Sequence, residues 1–190
     1  LMFLRLKTMA TGRTGVRVKL AQQYVDFLNA GITPVVPEFG SLGCSGDLAP
    51  LSHCALAMMG EGRVIDASGN EVDSLPAIKA AGIEPIQLEA KEGLALINGT
   101  DGMLGMLIMA ISDLRELARV ADITTAMSIE GLLGTDRVFA PELHFPLRPQ
   151  IGQAQSAANI FAMLKDSGIV ASHRENDSRV QDAYSLRCAP

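Results

Sequence analysis

Tryptophan is absent from this chain of 190 residues, and two Tyr and six Phe bring the aromatics to only 4%. The apolar share of 48% therefore comes from aliphatic side chains, with 24 Ala, 23 Leu and 9 Met supplying most of it. Ala loses no side-chain entropy in a helix and Leu and Met lose little, so the composition favours helices and argues against an all-β domain. Cysteine and histidine are equally scarce. Cys44, Cys54 and Cys188, with His53, His144 and His173, show no C-x-x-C or H-x-x-x-H spacing, so neither a disulfide framework nor a metal site is indicated. Sixteen basic residues face 21 acidic ones, a net charge of -5, and no basic stripe gathers phosphates, which disfavours a nucleic-acid partner. The longest strongly apolar run, residues 103–111, is far below the roughly 20 residues that span a bilayer. With no signal-peptide pattern either, the expectation is a soluble, cytoplasmic protein without a membrane partner.

What is there is helical patterning. Residues 1–29 carry apolar positions at helical spacing (Val16, Leu20, Tyr24, Phe27, Leu28), interrupted near Gly12 and closed by Gly31, which predicts two helical pieces. Pro34 and Pro37 hold an extended stretch, a glycine-rich turn covers residues 40–46, and Pro50 stands where a first helical turn tolerates it, so a helix is expected over 48–59. Residues 63–66 and 71–73 read as a small surface hairpin around Ser68-Gly69-Asn70. Ser74 is placed to cap a short helix through Ala80, and further helices are expected over 89–97, 100–133 and 153–165. The tail, 169–190, is polar without a sustained period. The fold class expected is mainly α, a long-helix bundle with a small β-hairpin excursion. The chain opens at Leu1 within a helical pattern and stops abruptly at Pro190, so it reads as part of something longer.

Chemistry concentrates in Gly40-Ser41-Leu42-Gly43-Cys44-Ser45-Gly46-Asp47-Leu48-Ala49-Pro50-Leu51-Ser52-His53. Small residues and a hydroxyl stand directly before a helix N-terminus, where free N–H groups and the macrodipole favour negative charge. For a Gly/Ser-rich loop in general, an anion-binding or merely tight turn is the commoner reading. This string, however, resembles the signature of the histidine and phenylalanine ammonia-lyase family, in which an Ala-Ser-Gly tripeptide cyclises into the electrophile 4-methylidene-imidazol-5-one (MIO). Two further stretches, Lys91 to Thr100 (Lys-Glu-Gly-Leu-Ala-Leu-Ile-Asn-Gly-Thr) and Gln181 to Pro190 (Gln-Asp-Ala-Tyr-Ser-Leu-Arg-Cys-Ala-Pro), agree with that family in the same order. Under the resemblance, residues 1–190 form the central part of an aromatic amino acid lyase with no separate second domain, the MIO loop at 40–53 and a bundle helix at about 100–133.

The resemblance implies that Cys44, Ser45 and Gly46 form the MIO autocatalytically, with no external cofactor. The Gly46 nitrogen attacks the Cys44 carbonyl, which calls for a residue without a side chain, and Ser45 supplies the reactive carbon. Only the Cys44 carbonyl enters the ring, so Cys in place of Ala is compatible with cyclisation; a nucleophilic Cys44 lacks a recognisable His/Asn partner set. The resemblance further implies that Asn98 hydrogen-bonds the ring or substrate, that Tyr184 is catalytic, that Gln181 contacts substrate, and that Arg187 clamps its carboxylate through a planar guanidinium. Ala183 stands where the family often has Pro. Turn formation remains open for Asn98, as does helix capping against ordering of the loop backbone for Asp47. His53 reads as a packed histidine before a general base, and Cys54 and Cys188 as small apolar residues.

The activity so implied is loss of ammonia from L-histidine to trans-urocanate, toward which the Leu186-Arg187-Cys188-Ala189-Pro190 ending leans. Phenylalanine or tyrosine ammonia-lyase, or an aminomutase, is the alternative within the family. Outside it stand an inactive piece that supplies only helical packing and oligomer contacts, since the related enzymes are longer and take a loop tyrosine from ahead of Leu1, and an anion-binding helical module with an uncyclised loop. The partners implied are a small amino acid substrate and further copies of the same chain in a homotetramer. The Met and Leu face of the long helix is expected to be core or inter-subunit packing.

Overall fold

The computed structural model describes residues 1–190, which divide into two compact units, Leu1–Ala110 and Ile111–Pro190. The elements of the first are α1 (Met2–Ala10), α2 (Val18–Asn29), β1 (Thr33–Pro34), α3 (Leu48–Met58), β2 (Arg63–Ile65), β3 (Glu71–Asp73), α4 (Ser74–Ala80) and α5 (Glu92–Ile97). The long α6 (Asp101–Gly131) starts in it and runs on into the second, followed there by α7 (Ile151–Leu164), α8 (Gly168–Ser172) and α9 (Tyr184–Arg187). Short 3-10 turns at Arg137–Phe139 and Pro141–Leu143 precede α7. The expected mainly α class is observed. Every side chain from Met106 to Ala121 is exposed, so mid-helix packing ties α6 to neither core, and the boundary falls there.

In the first unit the core follows helical spacing. Leu20, Tyr24 and Phe27 of α2 stand at i, i+4 and i+7 and meet Cys54, Met58, Val64, Ile78 and Leu96. Removing a large apolar side chain of this kind from water contributes about 1.5–3 kcal/mol. Gln23 on the same stripe donates its amide to the carbonyls of Met58 (2.8 Å) and Glu84 (3.1 Å), tying α2 to the end of α3. The hairpin is present but is not a free surface excursion. β1 adds a third antiparallel strand, pairing Thr33 with Ile65, and Val64 of β2 is buried in the core. Nor does Ser74 cap α4: Asp73 holds the N-cap position, while Ser74 is buried and donates its hydroxyl to the Ala57 carbonyl at 2.7 Å. The helix expected from residue 89 starts at Glu92, because Lys91 adopts a left-handed φ of 67°.

The second unit packs Ala126 and Ile129 of α6 against Phe139, Ala157, Ile160, Leu164 and Val170. Asp122 of α6 accepts from Ser156 (2.5 Å) and Asn159 (2.7 Å) of α7, and Ser167 caps α8 through the Val170 N–H at 3.2 Å. Both remaining histidines serve packing: His144 bonds the Val138 carbonyl (2.9 Å) and Gln153 (3.1 Å), and His173 the Gly134 carbonyl (3.1 Å). The polar tail is thus more ordered than its sequence pattern indicates, since Asp182 accepts the Thr135 N–H at 2.7 Å and Arg179 donates to the Leu132 carbonyl at 2.9 Å. By length and composition alone the helical run Glu92–Gly131 could cross a membrane, which counting only residues 103–111 does not anticipate. Asp113, Arg115, Glu116 and Arg119 stand near the middle of α6, and charge at such depth is costly in hydrocarbon.

Candidate functional site

The signature loop, residues 40–47, enters α3 at Asp47. Asp47 is 1% exposed and makes no side-chain cap. Its carboxylate instead turns back onto the loop, accepting the Leu42 N–H at 2.9 Å and the Ser41 hydroxyl, while its own N–H donates to the Gly99 carbonyl at 2.9 Å. Of the two readings open for Asp47, ordering of the loop is the one observed. The arrangement buries Gly46 and leaves Cys44 and Ser45 exposed. Backbone hydrogen bonds from Gly46 and then Ser45 hold the Cys44 thiol below the ordinary cysteine range. The Ser45 side chain adds to that shift, and no imidazole takes part in it. His53 is half-buried further along α3.

Glycine at position 46 lies close against Asn98. Its φ is not left-handed; rather, a Cβ there would run into the side-chain oxygen of Asn98 and stand 3.4 Å from the Gly99 nitrogen. A Cβ at Gly43 would likewise meet Met103 Sδ at 2.5 Å. The loop is therefore laid directly on the segment from Asn98 to Met103. Asn98 ends α5, with its N–H bonded to the Leu94 carbonyl at 2.9 Å, so its backbone place follows from that of the short helix.

That helix is held at its start by charge. Glu92, 3% exposed, accepts from Arg17 through the backbone N–H (3.1 Å), Nε (2.9 Å) and Nη2 (2.7 Å), and from the Glu89 N–H (2.9 Å). Hydrogen bonds from the Arg17 side chain, ahead of the opposing burial, push the Glu92 carboxyl down to about 2. At the other end Arg5 Nη1 donates to the Asn98 carbonyl at 2.9 Å and lies 3.2 Å from an Asp101 carboxylate oxygen. Sequence reasoning passed over Arg5 and Glu92 as site supports, although a signal was present. Arg5 stands on the Met2–Met9 stripe of α1, and Glu92 shares the buried face of α5 with Leu96. A charged residue on an apolar stripe calls for a buried partner.

Cys44, Ser45, Gly46, Asp47 and Asn98 are thus brought together within the first unit. Gln181, Tyr184 and Arg187 lie in the second. There the Arg187 guanidinium stacks 4.2 Å over the Tyr184 ring, which is itself 71% exposed. Arg187 and Gln181 line one cleft of about 310 Å³ together with Asp136, Arg174, Asp177 and Arg179. The Arg187 Nε is buried without a partner. A planar guanidinium held on an aromatic face suits bidentate recognition of a carboxylate.

The family model described as aromatic amino acid lyase matches residues 1–190. The chain belongs to the aromatic amino acid lyase family. Among its relatives in that family, the histidine ammonia-lyase of Streptomyces coelicolor is 64% identical over all of this chain and 37% of its own length. Among solved aromatic amino acid lyase relatives, histidine ammonia-lyase from Trypanosoma cruzi has a TM-score of 0.81 at 39% identity, covering 99% of this chain and 34% of that one. Ergothionase from Treponema denticola reaches 0.91 at 31% identity, over 99% and 37%. The chain therefore spans little more than a third of the length of these lyases.

Proposed function

We propose that this chain carries the electrophile-forming segment of an enzyme that eliminates ammonia from L-histidine, giving trans-urocanate. The observation that carries the reading is the loop itself: Ser45 is exposed, Gly46 is buried close against the Asn98 side chain, and Asp47 locks the loop from inside. Identity of 64% to a histidine ammonia-lyase supports the substrate.

The residues fit an MIO made from Cys44, Ser45 and Gly46. The Gly46 nitrogen would bond to the Cys44 carbonyl carbon, whose oxygen would leave as water with the amide hydrogens of Gly46 and Ser45, closing a C=N bond to the Ser45 nitrogen; Ser45 would lose its hydroxyl and Cα hydrogen as a second water, leaving a methylidene carbon. The Cys44 thiol takes no part in the ring. The group supplies an electrophile that draws electron density from the substrate so that ammonia can leave. Asn98, against Gly46, provides a side-chain amide at the ring. Arg187 takes the substrate carboxylate through two parallel N–H donors, Tyr184 supports that guanidinium with its ring and presents a phenol, and Gln181 offers a polar contact in the same cleft. Asp47 keeps the loop in place. The exposed apolar side chains of α6, such as Leu107, Ile111, Leu114 and Leu117, are those a homotetramer would cover with copies of the same helix.

Intact mass of the full-length protein tests the reading. The chain should be lighter by two waters and absorb in the near ultraviolet, and histidine should yield urocanate faster than phenylalanine or tyrosine yields its acrylate. Ser45→Ala should keep both the full mass and the helical circular dichroism while abolishing turnover. An unmodified mass in the wild type, or activity retained by Ser45→Ala, would refute it.

A further inference from the structure

We propose that Arg5, paired with Asp101, is a positioning residue for Asn98 and, through Asn98 and Gly99, for the electrophile-forming loop. The inference rests on the reading that residues 44–46 cyclise. Arg5 is 4% exposed, and the pairing joins α1 to the start of α6 across the backbone of residues 98 and 99. One nitrogen, Nη1, donates to the Asn98 carbonyl (2.9 Å) and lies 3.2 Å from an Asp101 carboxylate oxygen that accepts no hydrogen bond, so the pair is held by charge alone. A Cβ on Gly99 would collide with that guanidinium and with the Asp101 carboxylate, so both charged groups press directly on the Gly99 peptide. Gly99 in turn takes the Asp47 N–H on its carbonyl at 2.9 Å, and Asn98 puts its side-chain oxygen against Gly46. A short path of direct contacts therefore leads from Arg5 to both residues that hold the loop.

Stability is a poor explanation for this pair. Taking two charges out of water consumes most of their attraction, and apolar residues of similar volume hold such places as well or better. What an apolar pair lacks is a donor for the Asn98 carbonyl, and a negative charge beside it that keeps the guanidinium there. Neither the Arg5 Nε nor the facing Asp101 oxygen has a hydrogen-bond partner, so the Nη1 bond to the Asn98 carbonyl is what the guanidinium contributes. Geometry at Asn98 is what the buried charges supply.

The test uses the full-length protein and compares Arg5→Met/Asp101→Asn, which leaves no lone buried charge, with Arg5→Lys, Asn98→Ala, and the combination of the double variant with Asn98→Ala. Amide hydrogen exchange over residues 41–47 reads the loop without reference to activity, and intact mass reads cyclisation. The double variant should raise exchange at the Asp47 amide about tenfold or more and lower kcat by about tenfold with KM changed less than about threefold. Adding Asn98→Ala should cost little further, because residues acting as one unit are non-additive. Arg5→Lys should recover most of the Asp47 protection. Unchanged exchange in the double variant, or losses in kcat that multiply with Asn98→Ala, would overturn the proposal. A wild-type chain that retains both waters would remove the cyclisation reading, while the exchange data would still decide whether Arg5 holds the loop.

Discussion

Replacing Glu92 by Gln should uncouple α5 from Arg17 and remove a pH dependence that can be sized in advance. Four donors converge on the Glu92 carboxylate at 2.7–3.1 Å, and its carboxyl is pushed from the ordinary 4.5 down to about 2. Each pH unit of separation corresponds to about 1.4 kcal/mol, which makes the native charge worth about 3 kcal/mol. Arg17 is 36% exposed and regains water when the pair is broken, so about 2 kcal/mol is the better expectation. The folded carboxyl titrates below the unfolded one. Its contribution is therefore complete above pH 4.5 and is lost as pH falls from there through about 2. Gln keeps one acceptor but brings an amide donor against Arg17, and it does not titrate. Denaturant unfolding of the full-length protein and of Glu92→Gln, followed by far-ultraviolet circular dichroism at stepped pH, should show a gap of about 2 kcal/mol at neutral pH that closes through that window. A gap that persists undiminished below pH 3, or none at pH 7, would refute the assignment of a buried, donor-saturated carboxylate.

Gly46→Ala should block cyclisation, leaving the mass unreduced, and should destabilise the loop by about 1–3 kcal/mol because the new methyl meets the Asn98 oxygen. Pairing it with Asn98→Gly should recover the lost stability; a melting curve for Gly46→Ala equal to the wild type would show that the close approach is absent. Arg187→Lys should raise KM for the amino acid about tenfold, since an ammonium on a flexible stem cannot form two parallel bonds to a carboxylate. Unchanged steady-state kinetics would take Arg187 out of the site.

Much of the fold follows from local periodicity. The helices α2, α3, α6 and α7 lie within a few residues of their expected bounds, because apolar spacing and Pro or Gly punctuation are properties of adjacent residues. The departures occur where a distant partner intervenes. Ser74 would cap a helix in isolation, but the Ala57 carbonyl takes its hydroxyl. Asp47 would cap α3, but Leu42 and Ser41 claim its carboxylate. Thr33 and Pro34 carry too short a pattern to announce a strand and become one by pairing with β2.

The candidate site divides the same way. Sequence alone determined which residues can close a ring, since Cys44, Ser45 and Gly46 are consecutive and the chemistry lies in their shared backbone. It also determined the helical class, through an aliphatic composition with almost no aromatic residues. Tertiary structure alone decided which side chain lies against Gly46 and which buried charges stand at the backbone of that residue. These depend on Arg5, Asn98 and Asp101, and Arg5 stands 93 residues from the carbonyl it binds. No local pattern encodes a contact across that separation; it exists only once the core has closed around it.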